Sequence, residues 1–219
     1  MVTCLSVNSG DDIFASGSTD GSVIVWSLED FMVLNQMFLT KPVIHMDISM
    51  DSTFIMLSCD DNTVNIRALT TGSDVHCLKG HPSNSVITCV KFAEDSCRAI
   101  LGTGDGKLFI YDVHSAKLIQ TLSGHQDMIT AIITQKDDRF LITCGGNKCI
   151  VWNFYARKSM EASIFTADLV NTEKAQLTPP PIQAATRQSM YTRPPSKKMK
   201  KVEYHKEPIT CLDLSRDGN

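Results

Sequence analysis

The 219-residue chain is defined first by what it lacks. No stretch of about 18 consecutive apolar residues occurs, so no segment reads as a membrane-spanning helix. The opening MVTCLSVNSGDD has neither the basic start nor the apolar run of a secretory leader, and no Asn-x-Ser/Thr acceptor is present. Eight cysteines stand at 4, 59, 77, 89, 97, 144, 149 and 211, none in Cys-x-x-Cys spacing. These absences lead us to expect an intracellular chain with reduced thiols, in the cytoplasm or the nucleus. Cys144 and Cys149 come nearest to a ligand pair. They flank Gly145-Gly146-Asn147-Lys148, which reads as a hairpin turn, and a second pair of ligands is missing, so no metal is expected. Neither sign of charge dominates: 21 Lys and Arg face 24 Asp and Glu, a net of −3. The whole chain therefore has no pull toward nucleic acid or anionic lipid, and any such attraction must be local.

A nucleotide-binding loop is also missing, although LGTGDGKLFIYD (101–112) invites the comparison. A phosphate loop needs Gly, four residues, then Gly-Lys followed by Ser or Thr; here Leu108 follows Gly106-Lys107 and Leu101 stands where the first Gly belongs. A dinucleotide loop would open a helix, yet LFIYD is strand-type sequence. The stretch is explained by a repeat. Segments 2–28, 43–69, 86–113 and 128–154 align almost without gaps, with Trp26, Arg67, Tyr111 and Trp152 at one shared position, 41, 44 and 41 residues apart. Within each unit the apolar residues alternate or run in fours to sixes between polar turns, and no 3.6-residue stripe persists. The second turn carries Asp20-Gly21, Asp61-Asn62, Asp105-Gly106 or Gly146-Asn147, pairs that tolerate the left-handed backbone of a tight hairpin. A fourth strand is expected over 33–38, 74–78, 117–122 and 158–164. Gly106-Lys107 is thus a turn, and no cofactor or small-molecule substrate is expected.

These units resemble WD40 repeats. The resemblance is carried by Gly80-His81 and Gly124-His125 ahead of a first strand, by SGSTDGSVIVW at 16–26, and by the Trp or Tyr closing the third strand. It covers about residues 2–164 and 209–217. It implies an all-β chain of β-propeller blades, each of four antiparallel strands: about four blades (near 2–40, 43–80, 86–124 and 128–164), with 208–219 starting a further one. In the family a His, a Ser or Thr, the turn Asp and the strand Trp can form a structural hydrogen-bond set within a blade. The matching positions are Ser16, Asp20 and Trp26 in the first unit, and Asp61 in the second, with Arg67 in the Trp place. The third has His81, Asp105 and Tyr111, with Leu101 at the Ser position, and the fourth His125 and Trp152 without a turn Asp. The resemblance implies structural roles for all of these, and none is expected to be catalytic.

WD40 rings most often close with seven blades, so at this spacing a ring needs roughly 290 residues. The chain is therefore expected to be a fragment of a longer protein with an incomplete ring, and an open arc is expected to associate through its uncovered edges. Residues 165–207 change composition. Two proline runs and little apolar periodicity read as a flexible loop, and within 179–206 seven Lys and Arg face one acid. Lys197, Lys198, Lys200 and Lys201 fit a short nuclear-import address, set against the plainer reading of a solvated basic loop. The resulting expectation is a non-catalytic scaffold that binds other proteins or adjacent domains of its own longer chain, with no membrane partner and nucleic acid a lesser prospect. Two alternatives stand beside it: the sensor region of a NACHT-type signalling ATPase, and a chromatin or nucleic-acid adaptor using the basic insert. By family analogy, binding is expected at the loops 19–21, 41–42, 60–62, 82–85, 104–106 and 126–128.

Overall fold

The computed structural model describes residues 1–78, 82, 84–135 and 139–153, together with the backbone of 162–166. The described residues are all-β and build four antiparallel sheets of four strands, each ordered as the chain runs. The first sheet holds β1 (Val2–Val7), β2 (Ile13–Ser18), β3 (Ser22–Ser27) and β4 (Val33–Phe38). The second holds β5 (Val43–Ile48), β6 (Phe54–Cys59), β7 (Val64–Ala68) and β8 (Asp74–Leu78). The third holds β9 (Ile87–Phe92), β10 (Arg98–Thr103), β11 (Lys107–Asp112) and β12 (Leu118–Ser123). The fourth holds β13 (Ile129–Thr134), β14 (Phe140–Gly145), β15 (Lys148–Asn153) and β16 (Ala162–Thr166).

Two outer strands lie a little later than the sequence pattern suggests. β12 begins at Leu118, not 117, because the Asp112 N–H donates to Lys117 O and closes the turn there, leaving Tyr111 to pair with Leu118. β16 spans 162–166 where 158–164 was expected; 154–161 fall outside the described residues.

The period-2 alternation of each strand explains why sheets stack on both faces. On β6, Ile55 and Leu57 pack with Val23, Val25 and Met37 of the first sheet, while Met56 between them packs with Phe92, Leu101 and Phe109 of the third. On β10, Leu101 faces the second sheet, and Ile100 joins Ile132, Leu141, Ile150 and Trp152 of the fourth. Every inner sheet is thus a two-sided hydrophobic layer. The first sheet has one side uncovered among the described residues. Leu5 and Val7 are 65% and 51% exposed, whereas the same positions one repeat later, Met46 and Ile48, are 7% and 6% exposed against the first sheet.

The first strands β1, β5, β9 and β13 lie side by side as the inner wall. In every unit the inner pair carries a register shift that sets one residue apart: Thr3, Ile44, Thr88 or Thr130. A bulge twists its strand and re-aims a side chain. Thr3 Oγ1 accordingly donates to Val43 O at 2.5 Å and Thr88 Oγ1 to Ile129 O at 2.6 Å, each reaching the inner strand of the next sheet. Ile44 has no hydroxyl to offer. At that junction Asp47 replaces the link: its Oδ2 accepts from the Phe92 N–H at 2.7 Å and its Oδ1 from Lys91 Nζ at 2.9 Å.

Candidate interaction surface

Two layers of the repeat bear on function: a buried set of hydrogen bonds that holds each blade, and an exposed rim that the blades carry. Among the residues singled out from sequence, the structure joins His125 to Trp152 through a third residue, Thr143, that the repeat pattern alone did not single out. Thr143 Oγ1 accepts from Trp152 Nε1 at 2.8 Å and lies 2.8 Å from His125 Nε2, all three buried. Thr143 was discoverable, because it occupies the position of Ser16 one residue closer to its Trp, the fourth hairpin being a residue shorter. In the first sheet Trp26 Nε1 donates to Ser16 Oγ at 3.0 Å, and the indole stacks on Phe14 with centroids 5.8 Å apart. Burial holds the His125 imidazole below its usual pKa, since a charged ring there loses hydration.

The turn aspartates do a different job from the Ser/Thr–Trp pairs. Asp20 Oδ1 accepts from the Ser22 N–H at 2.8 Å and from its hydroxyl, and Asp61 Oδ1 does the same with Thr63 at 3.1 and 2.7 Å. These bonds favour the carboxylate: the Ser22 hydroxyl, then its amide, draw the Asp20 pKa down to about 2, and the Thr63 hydroxyl lowers that of Asp61. Asp105 instead accepts from Thr103 Oγ1 at 2.6 Å and pairs with Lys107 Nζ at 2.9 Å. The structure therefore separates the turn aspartates, which cap their own hairpins, from the Ser/Thr–Trp bonds deeper in the sheet. Tyr111 is buried among Val90, Phe92 and Phe109, and burial raises its phenol pKa. Arg67 lies against the outer edge of the first sheet, with Nη1 donating to Phe38 O at 3.3 Å and Nε 2.7 Å from Asp74 Oδ1. It closes one side of a groove of about 190 Å³ bordered by Phe38, Lys41, Asp61 and Asn65. His81, Lys197, Lys198, Lys200 and Lys201 lie outside the described residues.

The rim forms where the second turn of each blade meets the segment leading into the next. Gly21 has φ +81° and its missing Cβ would fall 2.3 Å from Leu39 O; Gly106 has φ +78° and the corresponding point lies 2.6 Å from His125 O. A side chain at either place would lift the following segment off the turn. Asn62 holds the same left-handed backbone at φ 61° and accepts from the Ile87 N–H at 3.1 Å. Thr19 N–H donates to Met1 O, Asp60 N–H to Pro42 O, and Gly104 N–H to Val86 O, so the rim loops are pinned through their backbones. Their tips remain open: Thr19, Asp20, Lys41, Asp60, Asp61, Asp105, Gln126 and Asp127 are exposed. The described residues hold no group of three or more His, Cys, Asp or Glu side chains arranged to grip a metal ion.

Sequential four-stranded antiparallel sheets stacked about a common inner wall define a β-propeller arrangement. The chain belongs to the WD40-repeat family: the profile of the WD domain, G-beta repeat matches residues 1–27, 72–112 and 116–153. Residues 28–71, with Arg67 in the Trp place, keep the strand pattern without matching the profile. Among curated proteins the chain is 28% identical over 117 residues to the WD repeat domain-containing protein 83 homolog of Dictyostelium discoideum, covering 52% of this chain and 35% of that one. It is 26% identical to WD repeat-containing protein 62 of Sus scrofa, over 49% of this chain and 7% of that one. It is 24% identical to WD repeat-containing protein 1 of Mus musculus, over 72% and 30%. The chain thus spans about a third or less of these relatives. The β-propeller domain of Cps50 (Swd1) from Myceliophteria thermophila superposes with a TM-score of 0.66 at 16% identity, over 75% of this chain and 58% of that one, a likeness of fold.

Proposed function

We propose that this chain is a non-catalytic scaffold whose rim docks other proteins or neighbouring domains of the same longer protein. The observation that carries the reading is the rim itself. Its loop backbones are tied down by close contacts at the buried Gly21 and Gly106 and by the part-buried Asn62–Ile87 hydrogen bond, while their polar tips face solvent. A rigid frame with exposed, chemically varied loops loses little conformational entropy on binding, which favours recognition of a folded surface. In this reading residues 1–164 form the docking unit, 165–207 a loop insert, and 208–219 the beginning of a further repeat. Cross-linking mass spectrometry on the full-length protein in cells tests it. A rim variant combining Thr19→Arg, Lys41→Glu, Asp60→Arg and Gln126→Glu is expected to lose specific cross-linked partners. A variant changed on the opposite loops, Met50→Glu and Asp95→Lys, is expected to keep them; an identical partner set for both would overturn the rim as the docking surface.

A second reading is favoured by one sequence observation, the seven-to-one excess of cations within 179–206. Anion binding by that insert would be steeply salt-dependent, since each phosphate neutralised releases counterions. Retention of the full chain on DNA that survives replacement of Lys197, Lys198, Lys200 and Lys201 by Ala would rule that reading out while leaving the rim proposal untouched.

A further inference from the structure

Four sheets built on one repeat allow each position to be compared with its equivalents, and one cross-strand pair departs from the rest. On the second and third strands, the pairs at this position are Gly17 with Val23, Ser58 with Val64, and Gly102 with Leu108. In the fourth sheet it is Cys144 with Cys149. The fold does not ask for sulfur here, because glycine and serine serve the same position elsewhere. The hairpin is a two-residue turn, Gly146-Asn147, closed by Gly145 and Lys148, with Gly146 at φ 60°. Antiparallel pairs alternate, so the next pair out is one whose residues exchange no backbone bonds and whose Cα atoms approach to about 4.5 Å. That spacing lies inside the roughly 4.4–6.8 Å a disulfide spans. The two Sγ atoms are in contact at 2.6 Å, and both thiols are free.

The geometry points to a thiol-oxidation site: Cys144 and Cys149 form a reversible intramolecular disulfide that staples β14 to β15. Accessibility divides the roles. Cys149 is half-buried and Cys144 is buried. Burial, with Cys149 beside it, raises the pKa of the Cys144 thiol, so the first attack falls to Cys149. With glutathione disulfide as oxidant, the Cys149 thiolate attacks one glutathione sulfur. The glutathione S–S bond breaks, a protein–glutathione mixed disulfide forms, and one glutathione leaves as thiolate to take up the proton Cys149 lost. The Cys144 sulfur, already in contact, then attacks Cys149 Sγ; the mixed disulfide breaks, the Cys144–Cys149 bond forms, and a second glutathione leaves with the proton of Cys144. Two protein thiols are oxidised and one glutathione disulfide is reduced to two glutathiones. The staple falls between Thr143, which holds His125 and Trp152, and Gly145, whose missing Cβ would lie 2.9 Å from His125 Nδ1. Oxidation therefore locks the hairpin that supports the buried hydrogen-bond cluster of this blade.

The sequence supplies a direct assay, because Lys148 separates the two cysteines and trypsin cleaves after it. The full chain is equilibrated in buffers of graded glutathione to glutathione-disulfide ratio, quenched with acid, alkylated and digested. The expected product is FLITCGGNK (140–148) linked to CIVWNFYAR (149–157), released by reductant. Exposed Cys77 and Cys97 serve as comparators in the same samples and are expected to carry glutathione only. In Cys144→Ser, Cys149 is expected to stop at the mixed disulfide. The inference is overturned if both cysteines stay alkylatable in buffers that modify Cys77 and Cys97. It is also overturned if Cys149 halts at the mixed disulfide in the unaltered chain, or if either cysteine links to a different partner.

Discussion

Thr143→Val removes a single oxygen at nearly constant volume, and the buried cluster dictates the consequence. In the unaltered chain Thr143 Oγ1 satisfies the Trp152 indole N–H and meets His125 Nε2, each at 2.8 Å. Valine leaves both ring nitrogens buried beside a methyl group. A buried polar group that loses its partner costs about 1–3 kcal/mol, and two that share one partner are not additive, so the expected loss is about 2–4 kcal/mol. For a cooperative unit of this size each kcal/mol moves the melting temperature by about 2–4 °C, giving a fall of roughly 5–15 °C. Blades touch only their neighbours, so the loss is expected to appear first in the fourth sheet. Denaturant unfolding followed by Trp152 fluorescence in a Trp26→Phe background reports on that sheet directly. Thr143→Ser is expected to restore most of the stability. In a Trp152→Phe background, Thr143→Val is expected to cost markedly less, since one stranded donor is already gone. A Thr143→Val chain within about 0.5 kcal/mol of the parent, the range of an ordinary surface substitution, would show that the cluster does not hold the blade.

Three further outcomes rest on the same geometry. Gly106→Ala combines a left-handed backbone with a Cβ 2.6 Å from His125 O, so it is expected to cost about 1–3 kcal/mol and to loosen the rim near 125–127, read by hydrogen exchange. Burial depresses the pKa of both His45 and His125 below 6.5 in the folded chain. The unfolded chain therefore binds more protons just under that value, and stability is expected to be full above pH 6.5 and to decline as pH falls through it; His125→Gln is expected to flatten the decline, and a melting temperature unchanged between pH 8 and about 5.5 would refute this. The uncovered face of the first sheet is expected to drive association of the isolated chain. Leu5→Ser with Val7→Ser should lower the mass seen by light scattering, and no change would place the contact elsewhere.

Much of the fold was legible because it is written as repetition. Aligned turns such as Asp20-Gly21 and Asp105-Gly106, with alternating apolar positions between them, predict short antiparallel strands, and the strands lie within a few residues of their expected places. A second feature visible in sequence was the disqualification of LGTGDGKLFIYD as a phosphate loop; the backbone of Gly106 confirms a left-handed turn. The candidate site was less legible. Thr143 escaped notice because the fourth hairpin is one residue shorter, which moves the threonine out of strict alignment with Ser16 while leaving it opposite Ile150, as Ser16 is opposite Ile24.

Local alternation and turn chemistry determine strands from neighbouring residues, so the sequence by itself established an all-β chain of repeated four-stranded units. The tertiary structure decided what depends on contacts between units. It decided that Ile55 and Met56, adjacent in sequence, belong to different cores, and that Asp47 does at one junction what Thr3 and Thr88 do at others. Those outcomes are set by which surfaces meet across tens of residues, and periodicity along a strand carries no record of the strand it will touch.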